Sequence, residues 1–474
     1  MPLILPGNVG SATAATGYDV ANSCRFDYAS SDYVHKTPGS AGSGTKFVFS
    51  TWIKRTKLAT AMNIIYAQTA TNNYERIRFV DTDKIEISGV ANGSTAYNFS
   101  TNAVYRDPSA WMHLHVIRDS TQGTASNRLK VYVNGVLQTL AQDTALGENY
   151  SGLITGANVH RIAVGNGEPL GAYLAEVILL DGQVITPDGN TGEFDDDSGI
   201  WKPLDVSELT FGTTGFYLDF EASDNLGNDA NGGDDFTEVN LDATNQSIDT
   251  CTNNFATWNS LQPTNAAMTE GNLIGASSAS SGHYSGISTI GVSSGKWYFE
   301  CKQTQESTAN EGMIGVIIFY NTVTALLNPV GRGGGWGMQD GNRGFSTDSG
   351  GSGSTTDNFH AGWTDDDIIG IALDIDNSRV YYSKNGSWND SGSWNASNPT
   401  TSQTLQNALG DGTYFFMAGD ASGSNNNTWS ANFGSPAFAI SSSNTDGAGF
   451  GNFEYAVPSG YFALCTKNLA EYGG

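Results

Sequence analysis

Short apolar runs that end on Gly, Asn or Asp recur along almost the whole 474-residue chain. In residues 47–55, 76–80 and 128–135, apolar and polar side chains alternate, which is typical of a strand with one buried face. Asn134 and Gly135 close the last of these runs, and that dipeptide is a strong signal for a two-residue hairpin turn. Long helical patterns are nearly absent. The pattern therefore predicts an all-β protein built from antiparallel sandwiches.

The length and charge of the chain narrow its function class. A chain of 474 residues has room for two to four domains, each able to bury a core. The net charge of −26 disfavours nucleic acid as a partner, because phosphate neutralisation needs clustered Lys and Arg. The four cysteines form no CxxC pair, so a zinc site is not indicated. Cys301 lies in an alternating run and is predicted to be a buried free thiol.

The beginning of the sequence bears on its location. Met1 to Pro6 contain no basic residue, and the apolar stretch is too short for a signal peptide. No run approaches 18 apolar residues, so membrane insertion is not expected. We expect synthesis in a host cytoplasm and release by a route other than secretion, such as assembly into a virus particle.

Three ordered motifs characterise the first half of the chain. They are WIKR at 52–55, VYVNG at 131–135 and AEVILLDG at 175–182. In this order they resemble a concanavalin A-like jelly roll of the laminin-G type, over about residues 21–220. The resemblance implies an antiparallel β-sandwich.

Four further motifs occur in the second half. GKWYFEC spans 295–301, WTDDDIIGIALDIDN spans 363–377, YYSKNG spans 381–386 and WSANFG spans 429–434. Their order and spacing resemble a SPRY domain. That resemblance implies a β-sandwich that binds partners through its loops and performs no chemistry.

These resemblances predict five segments. They are an N-terminal docking arm at 1–20, a jelly roll at 21–220, a connector at 221–258, a SPRY-like sandwich at 259–440, and a C-terminal segment at 441–474 that packs back. The connectors are predicted to be long and rich in Gly, Asn and Asp.

One wider resemblance covers the whole chain. GFYLDF at 215–220, TNNFATWN at 252–259, SSGKWYFE at 293–300 and PSGYFALCTKNL at 458–469 follow the order seen in bacteriophage tail-fibre or minor structural proteins, which are common in marine phages. It implies a virion protein that contacts other virion proteins and a host surface glycan or protein receptor. A homo-oligomer is expected, with a trimer favoured for a fibre. The alternatives are a capsid decoration protein without a host ligand and a glycan depolymerase.

Two glycine-rich loops supply the candidate binding residues. Arg332 and Trp336 lie in 331–337, and Trp388 and Trp394 lie in 386–395. Aromatic side chains flanked by Ser, Gly and Asn suit recognition, since they offer contact area at low entropy cost. The open alternative is that Trp336 and Trp388 fill the sandwich core or brace long loops.

The sequence contains no motif of a catalytic site. Glycoside hydrolysis needs two nearby carboxylates, and the ExDxE pattern of glucanases with this fold is absent. Asp219 and Glu221 are expected to share a strand face, whereas Glu176 stands alone. His113 and His115 also share a face, but no third zinc ligand follows at a fixed spacing. We therefore predict no catalytic residue.

Calcium is the only cofactor for which the sequence offers ligands, and none is required. Hard cations take several oxygen ligands, which Asp-rich and Asn-rich runs can supply. The alternative is that these runs are solvated turns. The runs are Asp195–Asp197, Asp224–Asn225, Asn228–Asp229 and Asp234–Asp235.

Overall fold

The computed structural model describes residues 17–261, 266–277, 284–305, 312–318, 334–347, 353–405, 412–420 and 427–473. In these ranges the protein is almost entirely β, with 46% strand and 3% helix, and its strands pair antiparallel except where the short strand at Phe462–Ala463 runs parallel to its neighbour. This confirms the predicted fold class. The chain divides into two compact units, which we call the first unit (Ala14–Thr252) and the second unit (which includes Asn253–Gly474).

The strands of the first unit are mostly short. In chain order they are β1 (Ser23–Phe26), β2 (Tyr33–Lys36), β3 (Lys46–Arg55), β4 (Met62–Ala70), β5 (Asn73–Phe79), β6 (Ile85–Ala91), β7 (Ser94–Thr101), β8 (Met112–Asp119), β9 (Leu129–Val133), β10 (Val136–Leu137), β11 (Leu140–Thr144), β12 (Val159–Ile162), β13 (Val164–Gly165), β14 (Glu168–Pro169), β15 (Ala172–Asp181), β16 (Gly192–Phe194), β17 (Trp201–Pro203), β18 (Phe216–Leu218), β19 (Thr237–Val239) and β20 (Gln246–Ser247).

Two sheets form the sandwich of the first unit. Sheet A has the order β10-β9-β8-β3-β15-β1-β20, with β18 also paired to β15, and sheet B has the order β11-β7-β6-β5-β4-β12-β2-β19. Alternate residues of each strand face the other sheet, so Phe49 and Ile53 of β3 share one core with Ile65 and Ile77 of sheet B. Each fully buried side chain of this kind contributes roughly 1.5–3 kcal/mol.

The hairpin predicted at Asn134 and Gly135 is confirmed. Val133 of β9 pairs with Val136 of β10, which leaves two residues in the turn. Both turn residues have positive φ, 48° for Asn134 and 74° for Gly135. That conformation matches the right-handed twist of the flanking strands, and Asn-Gly adopts it at low cost.

Sheet A is buried on both faces, which explains the continuous apolar sequence of β15. Its inner face joins the sandwich core. On its outer face, Val48, Ile117 and Ile178 pack under Val206 and Phe211, from the segment that follows β15 and β17. A strand covered on both sides has no solvated face and therefore shows no alternation.

An ion pair lies inside the first unit between the two sheets. The Arg118 guanidinium in β8 contacts the Glu75 carboxylate in β5, and both side chains are 0% exposed. Glu75 also accepts hydrogen bonds from the Tyr97 hydroxyl (2.5 Å) and from the backbone N–H groups of Leu153 and Ile154 (both 2.8 Å). The charge of the Glu75 carboxylate is therefore balanced by Arg118, and both of its oxygens accept hydrogen bonds from protein groups.

The second unit contains the remaining strands and one short helix. They are β21 (Ala266–Thr269), β22 (Ile274–Ser277), β23 (Tyr284–Ile287), β24 (Lys296–Gln305), β25 (Gly312–Ile318), β26 (Gly335–Gln339), β27 (Arg343–Thr347), β28 (Gly353–Thr356), β29 (Ile368–Asp374), β30 (Arg379–Lys384), β31 (Ser387–Asp390), β32 (Ser393–Ala396), β33 (Ser402–Thr404), β34 (Tyr414–Asp420), β35 (Thr428–Asn432), β36 (Phe462–Ala463) and α1 (Thr466–Tyr472).

Two sheets also form the sandwich of the second unit. Sheet C has the order β21-β22-β35-β24-β29-β30-β31-β32, and sheet D has the order β23-β34-β25-β26-β27-β28. Trp297, Phe299 and Cys301 alternate along β24 into the core between them. Cys301 is fully buried and unpaired, which confirms the prediction of a free thiol.

The other face of β24 carries a buried carboxylate that binds the C-terminal residues. Glu300 accepts hydrogen bonds from the backbone N–H groups of Glu454 (2.9 Å) and Tyr455 (2.8 Å), and from the Asn432 amide (3.0 Å) and the Tyr298 hydroxyl (3.1 Å). Four donors thus replace the water that the carboxylate loses on burial.

In the part of the chain that the structure describes, no helix is long and apolar enough to cross a membrane.

Candidate functional site

The structure places three of the four side chains that were predicted to bind a ligand. Arg332 lies outside the described residues. Trp336 in β26 is 0% exposed and lies in the core of the second unit, and Trp388 in β31 is 4% exposed and packs against Tyr298. The faces of these two indoles are therefore covered by protein, which agrees with the alternative that they are structural and do not bind a ligand. Trp394 in β32 is partly exposed, and ligand binding by this side chain stays a prediction.

Trp394 belongs to an aromatic group at the edge of sheet C. Its ring centroid lies 5.4 Å from that of His360, which in turn stacks on Trp363 at 5.2 Å. The Trp394 Nε1–H group donates to the Gly362 carbonyl at 2.9 Å. One edge of the indole is therefore held by the backbone, so that its orientation is fixed.

His360 fixes the position of this aromatic group relative to sheet D. The Gly362 N–H donates to His360 Nδ1 at 2.9 Å, so the imidazole proton lies on Nε2. Nε2 then donates to the Gln339 carbonyl at 2.9 Å. Burial lowers the pKa of His360 to about 4, which keeps the ring neutral and preserves this arrangement near pH 7.

A polar cleft of about 480 Å³ lies beside this group. That volume falls in the range of about 300–1,000 Å³ that is usual for small-molecule sites. The lining combines the turn between β26 and β27 with the residues that follow β28. The lining residues are Gln339, Gly341, Asn342, Arg343, Asp357 and Asn358.

Two side-chain pairs cross the cleft. Arg343 Nε donates to Asp357 Oδ1 at 3.0 Å, and the two side chains are 55% and 71% exposed. Asn342 Nδ2 donates to Asn358 Oδ1 at 3.1 Å. Exposed pairs of this kind are worth only about 0–1 kcal/mol each, so a ligand can replace them at little cost.

The local backbone explains why asparagines occupy these positions. Asn342 (φ 80°) and Asn358 (φ 58°) lie in the left-handed region, which Asn tolerates better than other side chains. The Phe359 N–H donates to the Asn342 carbonyl at 3.0 Å, which joins the two turns. In the sequence Asn342 and Asn358 are ordinary turn residues 16 positions apart, so no signal indicated that they meet.

The described lining of the cleft offers hydrogen-bonding groups to a ligand. Its amide, guanidinium and carboxylate groups can donate to and accept from hydroxyls. Glycoside hydrolysis needs two carboxylates flanking the scissile bond, and Asp357 is the one carboxylate among the lining residues that the structure describes.

The prediction that Asp219 and Glu221 share a strand face is wrong. Strand β18 ends at Leu218, and Phe220 between them has a φ of 60°. The alternation of a strand does not extend through a left-handed residue. Asp219 instead accepts a hydrogen bond from the Glu221 N–H at 3.1 Å, as in an ordinary turn.

One serine–histidine pair has the distance but not the proton arrangement of a nucleophile and its base. Ser50 Oγ lies 2.7 Å from His113 Nε2. Trp201 Nε1–H donates to His113 Nδ1 at 3.2 Å, so Nε2 carries the proton and donates to the serine. A general base would have to accept the serine proton at that nitrogen. Both side chains are also buried, which makes this pair structural.

Glu176 lies at a strained point of sheet A. The pairing of β15 with β3 shifts between Ala175 and Ile178, and Glu176 in this bulge has a φ of 51°. The left-handed conformation costs a residue with a Cβ atom about 1–2 kcal/mol. Its buried carboxyl accepts a hydrogen bond from the Tyr217 hydroxyl at 2.8 Å. Strain at a buried acid marks this position as a second feature of interest.

We expect Glu176→Gly to be more stable than Glu176→Ala by about 1 kcal/mol, since both remove the carboxyl but only alanine keeps the backbone strain. Urea unfolding of the two variants at one pH measures the difference. Equal free energies of unfolding would contradict a left-handed backbone at this position.

The acidic runs that were proposed for calcium make bonds within the protein. Asp195 accepts from the Ser198 N–H at 2.9 Å, and Asp229 pairs with the Lys36 ammonium at 2.9 Å. Asp235 accepts from the Asn225 amide at 2.9 Å. Within the described ranges, no three His, Cys, Asp or Glu side chains converge on a metal position. Calcium binding stays a prediction.

Comparison with known families identifies part of the first unit. A family model described as the concanavalin A-like lectin/glucanases superfamily matches residues 29–187. This match supports the predicted laminin-G-type jelly roll. No curated protein matches the chain.

Solved structures show similarity to both units at low identity. The SPRY domain of human HERC1 is 13% identical with a TM-score of 0.28, over 37% of this chain and 96% of that domain. A SAP-like pentraxin from Limulus polyphemus is 14% identical with a TM-score of 0.28, over 41% and 100%. Domains LG4-5 of the mouse laminin alpha1 chain are 9% identical with a TM-score of 0.29, over 95% and 89%. Values this low carry no information about a shared ligand.

Proposed function

We propose that this protein is a non-catalytic recognition protein of a phage virion, as a tail fibre, spike or surface fibre. In this proposal the second unit binds a host surface glycan in the polar cleft. The cleft carries the proposal, because it combines a ligand-sized volume with hydrogen-bonding groups that are only weakly paired to each other.

The lining favours a neutral, hydroxyl-rich ligand. The charged side chains among the described lining residues are Arg343 and Asp357, and because they are paired this lining carries no net charge. The whole chain carries a net charge of −26, which disfavours the approach of an anionic glycan. Amide, guanidinium and carboxylate groups can bind neighbouring hydroxyls of one sugar with paired hydrogen bonds.

We expect Asn358→Ala and Arg343→Met each to weaken glycan binding about 5- to 150-fold in Kd, because each removes a hydrogen-bonding partner worth about 1–3 kcal/mol to a bound ligand. A glycan array with the full chain identifies the ligand, and calorimetry with that glycan measures the affinities. Asn398→Ala is the matched control, since Asn398 is exposed and lies outside the cleft. Equal affinities for all three variants would overturn the placement of the site.

The placement in a virion rests on the order of motifs from GFYLDF at 215–220 to PSGYFALCTKNL at 458–469. A micrograph of the particle, labelled on this protein, tests it. A label on the head together with no glycan binding would favour the capsid decoration protein instead. Assembly as a homo-oligomer, with a trimer favoured, is part of the same proposal.

A further inference from the structure

Residues Gly17–Asn22 form a strap across the outer face of sheet A. The Tyr18 hydroxyl donates to Glu176 Oε2 at 3.4 Å and lies 3.3 Å from the Tyr217 hydroxyl. Val20 packs in a small apolar group with Trp52 and Trp201, and its N–H donates to Thr252 Oγ1 at 3.2 Å. The strap thus covers the carboxyl of Glu176, which is 5% exposed.

Among the residues that the structure describes, no cation acts on the buried Glu176 carboxyl. Burial raises its pKa to about 8, and the negative charges of Asp219 and Asp205 act in the same direction, whereas the tyrosine hydrogen bonds oppose the shift. The remaining titratable groups that act on this cluster add no positive charge. They are Tyr18, Tyr217, Glu221, the thiol of Cys251, and Asp19 and Asp249, which act on that thiol.

The cations on the same face of sheet A are already paired. The Lys54 ammonium lies 2.7 Å from Asp249, and both side chains are almost fully buried. The Lys202 ammonium lies 3.2 Å from Glu193 and 3.4 Å from Asp195. Neither lysine can therefore move to neutralise Glu176 without breaking an existing ion pair.

We propose that the strap is a pH-responsive cover, closed over Glu176 while this carboxyl is protonated and released when it ionises. A neutral carboxyl, two phenol hydroxyls and the apolar Val20 are compatible with a site that excludes water. An ionised carboxyl in the same place requires hydration, which the strap blocks. Opening admits water to Glu176 and uncovers Trp52 and Trp201.

The strap is the element that moves because it lies outside the sheets: residues 17–22 form no strand. Its contacts include the Tyr18 hydroxyl, the packing of Val20, and the paired bonds between the Val20 backbone and the Thr252 hydroxyl (3.2 and 3.3 Å). Strand β15, by contrast, is buried along its whole length and paired on both sides. Local opening draws on the segments with the fewest buried contacts.

Hydrogen exchange of the full chain tests the cover. The readout is the protection factor of the peptide containing Val20, measured at pH 6.5, 7.5, 8.5 and 9.5 after division by the intrinsic exchange rate. Between the ordinary pKa of a glutamate and the raised pKa of about 8 in the closed structure, each pH unit makes opening about tenfold more favourable, so we expect protection to fall about tenfold between pH 6.5 and 7.5 and to level off above about pH 8. Glu176→Gln, which cannot ionise, is expected to keep its protection within twofold over the series.

Two outcomes overturn the proposal. One is constant protection in the wild type, and the other is the same decrease in Glu176→Gln as in the wild type. Tyr18→Phe gives an independent measure, since it keeps the ring but removes the hydroxyl that contacts Glu176. It is expected to show, already at pH 7.5, the low protection that the wild type reaches at high pH. Wild-type protection in Tyr18→Phe at pH 7.5 would also contradict the proposal.

Discussion

Glu75→Gln is expected to lower the free energy of unfolding of the first unit by about 3–5 kcal/mol, because it leaves the buried Arg118 guanidinium without its counter-charge. The amide cannot replace the carboxylate, since both carboxylate oxygens accept hydrogen bonds. One oxygen faces Arg118 and Tyr97, and the other faces the N–H groups of Leu153 and Ile154. Whichever oxygen is replaced by the amide NH₂ group, that group is a donor and faces other donors, so their hydrogen bonds are lost.

The measurement is urea unfolding followed by pulsed hydrogen exchange on peptides from β5 and β8, which reports on the first unit alone. Glu148→Gln is the control, because Glu148 pairs with Arg128 but is 53% exposed, and we expect a loss of less than 1 kcal/mol. The double variant Glu75→Gln, Arg118→Met should lose less than the sum of the single losses. A loss below 1 kcal/mol in Glu75→Gln would mean that the pair is not buried.

Much of the β-architecture followed from the sequence, because it depends on local pattern. Strands β3 and β9 and the turn at Asn134 and Gly135 lie where alternation and turn chemistry placed them. Strand β15 was identified by an apolar run, but its outer cover was not. That cover comes from residues far along the chain, such as Phe211, whose packing leaves no periodic signal.

The sites were harder to predict, because they depend on contacts between distant residues. Trp336 and Trp388 look like loop aromatics in the sequence, yet the register of β26 and β31 turns them inward. The cleft forms where Asn342 meets Asn358, and both read only as turn residues. The bulge at Glu176 interrupts an otherwise regular strand, and nothing in its neighbours along the chain indicates a left-handed backbone there.

Three buried glutamates show how partners decide what a buried carboxyl does. Glu75 contacts a guanidinium and holds two sheets together. Glu300 accepts four hydrogen bonds and fixes the C-terminal residues, although burial still raises its pKa to about 7. Among the described residues, Glu176 accepts hydrogen bonds from two hydroxyls and has negative neighbours, so its ionisation near pH 8 is less compensated than that of Glu300. The larger pH response is therefore expected at Glu176 rather than at Glu300.

The first unit is expected to lose stability steeply as the pH falls from 6.5 to 4, because it folds around neutral histidines. Burial lowers the pKa of His115 and of His160 to about 4, and that of His113 well below its usual value. His160 Nδ1 is buried without a hydrogen-bond partner, so protonation there would add an unpaired donor. In the unfolded chain these rings titrate near 6.5. Between the two values the unfolded chain binds more protons, so stability rises with pH and is lost as pH falls.

Each such histidine contributes up to about 1.4 kcal/mol per pH unit to this slope, and about 3 kcal/mol in total for His115. Glu176 acts in the opposite direction, since its raised pKa makes it stabilising at low pH and destabilising as the pH rises towards 8. Three histidines outweigh one glutamate, so the unfolding free energy should peak near pH 6.5.

His115→Gln, which keeps groups able to bond Ile185 and Thr191, should reduce the slope near pH 5 by about 1.4 kcal/mol per pH unit. His35→Gln, at a partly exposed position, is the control and should leave the slope unchanged. Urea midpoints at half-unit pH steps measure it, and a flat profile from pH 6.5 to 4.5 would contradict the burial of neutral histidines.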